Sequence, residues 1–266
     1  MSDQGSFLSA LERTAQMAPR RIMARLGEKE LSVETLDQQS DAVAALLSDR
    51  GVKRGDRVAV MVRNSLFTIS SIFGISKAGA VWVPINGQLQ GSNLKFIFDH
   101  CKPALVIADD EFVEVLSEAG VSKRGHRVIS SDTIELESQQ MYAATSTVAS
   151  NTPTPDDSFC IMYTSGTTGP PKGVVVTHRM FRLCGEAVLM ASDASDGDVF
   201  FVWEPFHHIG GAQLILLPLL RDIRLAMVDR FSVSRFWSQV QEVGATHIHY
   251  LGGILQMLLK QEPSAG

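Results

Sequence analysis

The 266-residue chain is poor in cysteine, has no clustered charge of one sign, and lacks long apolar runs. Its three cysteines, Cys101, Cys160 and Cys184, are odd in number and show no CxxC spacing. That excludes a disulfide framework and suits reduced thiols, each read as a small buried hydrophobe. No Lys/Arg run stands out, and the formal net charge is -5 with a pI near 5.8. Nucleic acid is therefore not an expected partner, and a phosphate-bearing ligand needs a local device to hold it. No apolar run reaches the roughly 20 residues that span a bilayer. Met1 to Ser9 lacks a basic segment followed by an apolar stretch, so no membrane span is expected and the cytoplasm is the expected compartment. His247 and His249 share one strand face, but no obvious third ligand accompanies them, and no metal site is assigned.

What is present is a 45% hydrophobic, 20% charged composition, the balance of a globular protein with a substantial core. Strand-like and helix-like segments alternate, which predicts an α/β fold of mostly parallel sheets covered by helices. Leu36, Val43, Leu46 and Leu47 recur at helical spacing before Gly51, and Arg57 to Val62 reads as a buried strand. Further alternation runs through a helix at Leu66 to Phe73 and strands at Ala80 to Pro84 and Ala104 to Ala108. From Ser130 to Asp157 the pattern dissolves into Ser, Thr, Asp and Pro, which predicts an extended surface connection. A boundary there divides a first α/β subdomain, residues 1–150, from a second, residues 151–266. Beyond it, strands are predicted at Ser158 to Tyr163, Val174 to Thr177, Val199 to Trp203 and Leu225 to Val228.

The segment Tyr163-Thr-Ser-Gly-Thr-Thr-Gly-Pro-Pro-Lys172-Gly173 sets three glycines, four Ser/Thr hydroxyls and one lysine between two apolar strands. Gly166 and Gly169 permit close backbone approach, so that amide N–H groups can point at anionic oxygens. The hydroxyls of Thr164, Ser165, Thr167 and Thr168 add donors or a ligand for Mg²⁺. Lys172 supplies a localised positive charge. A Walker A loop needs Gly directly before the lysine and Ser or Thr directly after; Pro171 and Gly173 stand there instead. An ordinary hairpin turn needs neither four hydroxyls nor a lysine.

The stretch YTSGTTGPPKGVVVTH, Tyr163 to His178, resembles the signature phosphate loop of the adenylate-forming superfamily. That superfamily comprises acyl- and aryl-CoA synthetases, adenylation domains of peptide synthetases, and beetle luciferases. The resemblance implies that Thr164 to Gly169 and Lys172 embrace the β- and γ-phosphates of ATP. Pro205-Phe-His-His-Ile-Gly-Gly211 resembles the family's Pro-x-x-His motif, with His208 at the matching position, between the acyl pocket and the adenylate. An imidazole there can hydrogen-bond the carboxylate, or simply satisfy local backbone. Phe206, Ile209 and Gly211 would line the near wall of the acyl pocket. Gly55-Asp-Arg-Val58 and Lys77 to Asn86 also match, as does Arg230-Phe-Ser232. By resemblance Arg230 reaches a phosphate of CoA; solvation alone is the competing reading.

The resemblance implies an acid–CoA ligase that uses ATP, Mg²⁺, CoA and a small carboxylic acid, and Arg230 to Glu262 is most similar to the crotonobetaine/carnitine–CoA ligase type. The chain is expected to be a truncated N-terminal portion. By family pattern it lacks the aromatic-Gly-x-Thr-Glu segment, the ribose-binding aspartate, the hinge, and the C-terminal domain whose lysine contacts the reacting carboxylate. Its catalysis alone is expected to be slow, since a preorganised cation is worth several kcal/mol of barrier. An adenylation module for an amino or aryl acid, or a catalytically inactive nucleotide-binding domain, are the alternatives. Apolar surface left uncovered by truncation would favour a homodimer, and the sequence leaves the oligomeric state open.

Overall fold

The computed structural model describes residues 5–121, 127–144, 153–164, 170–250 and 252–260. In chain order the elements are α1 (Phe7–Met17), β1 (Ile22–Leu26), β2 (Lys29–Ser32), α2 (Val33–Asp49), β3 (Arg57–Met61), α3 (Leu66–Lys77), β4 (Val81–Pro84), α4 (Gly91–Cys101) and β5 (Leu105–Ala108). They continue with α5 (Asp110–Glu118), β6 (Val128–Ser130), α6 (Ser131–Ala144), β7 (Ser158–Thr164), β8 (Lys172–Thr177), α7 (His178–Ala191) and β9 (Val199–Val202). The last are α8 (Ile209–Ala212), a 3₁₀ turn (Gln213–Leu216), α9 (Leu217–Leu220), β10 (Arg224–Met227), α10 (Phe236–Glu242), β11 (His247–Ile248) and α11 (Gly252–Leu259).

Two sheets result. A six-stranded sheet has the order β6-β5-β3-β4-β7-β8, and a five-stranded sheet the order β11-β9-β10-β1-β2. Among the described residues every pairing is parallel except the β7–β8 and β1–β2 hairpins, each of which forms one edge of its sheet. The α/β class predicted from alternation is the one observed. Both sheets draw strands from either side of residue 150: β1 pairs with β10, and β4 with β7.

Strands buried on both faces explain the near-continuous apolar runs. In β3, Val58 and Val60 point into the core between the sheets, while Ala59 and Met61 pack outward with Leu94, Ile97 and Phe98 of α4. In β9, Phe200 and Val202 face the same central core, and Phe201 faces Phe236 and Val240 of α10. The order is helices, sheet, helices, sheet, helices.

The middle layer is built on α3, whose residues Phe67 to Ser76 are all buried. A capping box starts it: Ser65 Oγ accepts from the Thr68 amide at 3.0 Å, and the Ser65 amide donates to Thr68 Oγ1 at 3.2 Å. Gly74 lets α2 approach closely, because a Cβ there would stand 2.5 Å from Val43 Cβ and 2.9 Å from Ser40 O. Lys77 closes the α2–α3 contact on Asp37 and Asp41, at 2.6 and 2.7 Å.

The extended connection predicted from Ser130 onward is corrected by α6. Ser130 Oγ accepts from the Thr133 amide at 3.1 Å, Ile134 and Ser138 are buried, and Glu137 pairs with Arg50. This helix carries few apolar residues and is held by packing against α2 rather than by a stripe of its own, so periodicity did not reveal it. The apolar stretch Ile209 to Leu220 is divided into α8, the 3₁₀ turn and α9. No helix among the described residues is long and apolar enough to cross a membrane.

His178, the last residue of the glycine-loop motif, is structural. It opens α7 behind the Thr177 cap, 1% exposed. Its ring stacks on Phe7 at 4.8 Å and meets Phe159 edge-on at 5.6 Å. Burial lowers its pKa from 6.5 to about 4, against the pull of Asp157. The imidazole is neutral in the fold, whereas an unfolded chain protonates it below about pH 6.5. Stability is therefore fully present above that value and is lost as pH falls from 6.5 toward 4, by about 1.4 kcal/mol per unit. His178→Phe is expected to remove about 2 kcal/mol of the stability lost between pH 7 and pH 5, read by urea unfolding at both values. Equal pH slopes for the two proteins would contradict this.

Candidate active site

The hairpin β7–β8 brings the two ends of the glycine-rich loop together. Thr164 stands opposite Lys172 and Tyr163 opposite Gly173, and Thr164 Oγ1 donates to the Lys172 carbonyl at 3.5 Å. Ser165, Gly166, Thr167, Thr168 and Gly169 lie outside the described residues. Thr164 and Lys172 are both exposed. Lys172 forms no ion pair with a described residue, so its charge is open to a ligand.

Tyr163 fixes the base of this hairpin. Its hydroxyl lies 2.6 Å from His100 Nδ1 at the end of α4, and the His100 ring stacks on Phe96 at 5.7 Å. Across the ladder, a Cβ on Gly173 would stand 2.9 Å from Ile161 Cγ2 and 3.3 Å from the Tyr163 ring. Glycine at 173 thus makes room for the ring between the strands. His100 was not singled out in the sequence; its helical context gave no sign of a partner 63 residues away.

His208 stands on the other sheet, just past β9. Its amide donates to the Pro205 carbonyl at 3.1 Å, it caps α8, and it is exposed. His207 beside it is half-buried, ring to ring at 4.4 Å. Burial first, and His208 second, lower the pKa of His207 to about 4, so it is neutral at pH 7. Phe206 is 2% exposed and belongs to the central core, Gly211 is buried, and Ile209 is exposed. Gly211 has a strict reason: a Cβ there would meet Pro205 O at 2.7 Å and Glu204 O at 2.8 Å.

Asn64, which sequence reasoning missed, joins the two sheets. It follows β3, at the carboxyl edge of the six-stranded sheet. Its Nδ2 donates to Glu204 O at 2.7 Å, and its Oδ1 accepts from the Phe206 amide at 2.9 Å. Since β3, β4 and β7 run parallel, Thr164 leaves the same edge as Asn64. His208 leaves the corresponding edge of the five-stranded sheet. Crevices outside the carboxyl ends of parallel strands are where open α/β folds bind ligands. Arg230, past the end of β10, is exposed on that edge too, and its charge helps hold the Glu111 carboxyl below its ordinary range, after the larger effect of Arg63.

The remaining candidates fall elsewhere. His247 stacks on Phe200 at 4.5 Å and contacts Ser192 O, while His249 pairs with Glu204. No group of three or more metal-ligating side chains occurs among the described residues. Burial pushes the Cys101 thiol up to about 11 and raises Cys160 and Cys184 as well, which leaves all three as unreactive thiols at pH 7. Two clefts, of about 870 and 860 Å³, lie beside β1 and β10 and between α1 and α7; neither is lined by Thr164, Lys172 or His208.

A family profile described as AMP-binding enzyme matches residues 11–266. The crotonobetaine/carnitine–CoA ligase of Salmonella paratyphi A is 28% identical over 245 residues, covering 88% of this chain and 47% of that protein. The medium/long-chain-fatty-acid–CoA ligase FadD6 of Mycobacterium tuberculosis is 30% identical over 248 residues, 91% of this chain and 41% of that one. The chain thus spans less than half the length of these curated relatives. Among solved structures, VinN in complex with 3-methylaspartate superposes with a TM-score of 0.85 at 22% identity, over 96% of this chain and 68% of that one. A fatty acyl CoA synthetase of Mycobacterium tuberculosis superposes at 0.80 and 23% identity, over 96% of this chain and 51% of that one. These two likenesses are of fold.

Gly173→Ala is expected to cost about 1 to 3 kcal/mol of stability by overpacking the Tyr163 ring, read by urea unfolding. A variant as stable as the wild type would show that the ring yields freely.

Proposed function

The chain belongs to the AMP-binding enzyme family, and on that premise we propose that it is the N-terminal portion of an ATP-dependent acid–CoA ligase. The observation that carries this reading is the hairpin register, which sets the hydroxyl of Thr164 across from Lys172, unpaired among the described residues, at the two ends of the loop. Such a base suits the polyphosphate of MgATP: Thr164 to Gly169 surround the β- and γ-phosphates, and Lys172 offsets their charge. Mg²⁺ enters as part of the nucleotide substrate.

In the first step a carboxylate oxygen of the acid attacks the α-phosphorus, the bond to the bridging oxygen breaks, and pyrophosphate leaves with both bonding electrons. Acyl-AMP remains. The part played by residues 164 to 172 is positioning and charge stabilisation, with no covalent enzyme intermediate. His208 orients the carboxylate from the facing edge. In the second step the thiolate of CoA attacks the acyl carbon and AMP leaves; Arg230, exposed on the same edge, is placed to meet a CoA phosphate. The relatives named as CoA ligases favour CoA as acceptor, and the cytoplasm, where ATP and CoA are available, is the compartment this reading requires.

The chain, given MgATP, labelled pyrophosphate and a panel of carboxylic acids, is expected to return label to ATP only when an acid is present. The rate is expected to be slow, and to fall about 100-fold in Lys172→Ala, the scale of removing one preorganised charge. Exchange that needs no acid, or that ignores Lys172, would contradict the proposal.

A further inference from the structure

Glu204 is 3% exposed, immediately ahead of the Pro205–His208 turn. A carboxylate so deeply buried is costly unless it is paired, and its partner is His249, whose Nδ1 meets a Glu204 carboxylate oxygen. His249 lies just past β11, the strand that pairs with β9 through His247–Phe200 and Ile248–Phe201. A second bond joins the same two strand ends, from Trp203 Nε1 to His249 O at 2.8 Å. The two side chains also close around Gly210: a Cβ there would stand 2.8 Å from one Glu204 carboxylate oxygen and 3.1 Å from His249 Cε1.

The turn is thus gripped from both sides. Asn64 holds its backbone at Glu204 O and the Phe206 amide, and the Glu204–His249 pair packs against it at Gly210. His208 sits between these two grips, and its own ring makes no hydrogen bond to a described residue. The direction of the His208 imidazole is therefore inherited from the turn. What a carboxylate adds over an apolar residue is one directional contact to β11.

The geometry points to Glu204 and His249 as positioning residues, which fix the Pro205–His208 turn so that His208 meets an acyl carboxylate in one orientation. This rests on the ligase reading, in which His208 orients the acid. Neither residue touches substrate in this account; both act through the turn. The pair is also specific to the acyl side, since the polyphosphate is held from the other sheet.

The test is calorimetric titration of the folded chain with two ligands, MgATP and octanoyl-sulfamoyl-adenosine, a non-hydrolysable mimic of an acyl-adenylate. Glu204→Gln keeps the shape of the side chain and removes its charge. It is expected to weaken the mimic five- to tenfold and to leave MgATP within twofold of the wild type. Should that variant fail to fold, His249→Gln, at a partly exposed site, carries the same expectation. A parallel loss of both ligands would mean a general structural role and would overturn the inference, as would no change in either. A wild-type chain that binds MgATP but not the mimic would overturn it too, while leaving the phosphate loop in place. A wild-type chain that binds neither ligand would overturn both the inference and the reading that this chain by itself holds a working nucleotide site.

Discussion

The antiparallel pairing of β7 with β8 is the constraint on which the site depends. A polyphosphate site built on the two ends of one loop needs those ends delivered at a fixed separation and with a fixed facing. The ladder does this by setting Thr164 opposite Lys172. Its register is secured by side chains that are not themselves polar ligands, with Tyr163 held by His100 and Gly173 leaving space for the ring. A one-residue slip would turn Lys172 to the other face of the strand.

The second requirement is that the two sheets present their carboxyl edges on the same side. The central core, built around a helix buried on nearly every side, fixes the distance between the sheets, and Asn64 ties their edges directly. The burial of His178 under Phe7 binds the start of α7, and so the far end of β8, into that same core. The ends of the glycine-rich loop and the Pro205–His208 turn are thereby carried on different sheets yet held by one packed interior. The contacts that grip the Pro205–His208 turn, from Asn64 and from the Glu204–His249 pair, are thus separate from those at the base of the hairpin.

Most of the scaffold was legible in the sequence because its strands are continuous apolar runs and its helices have clear stops, such as Gly51 after α2 and Pro103 after α4. The loop was legible by composition, as were Lys172 and His208 by their motifs. What escaped were features set by contact at long range. The helix α6 has too few apolar residues to announce itself, and Asn64 is an unremarked polar residue until its two backbone partners, some 140 residues away, are in place. Glu204 and His249 were equally silent as a pair, because a buried charge is recognised by its partner and not by its neighbours in sequence.

The most direct measurement is isothermal titration of the chain with MgATP beside Lys172→Ala, both shown to be folded. The chain is expected to bind MgATP, and the substitution to weaken binding at least tenfold, the loss of one charge-assisted contact of about 1.5 to 3 kcal/mol. Binding of equal strength in both proteins, or none in the unmodified chain, would contradict the claim that the β7–β8 hairpin is by itself a working polyphosphate site.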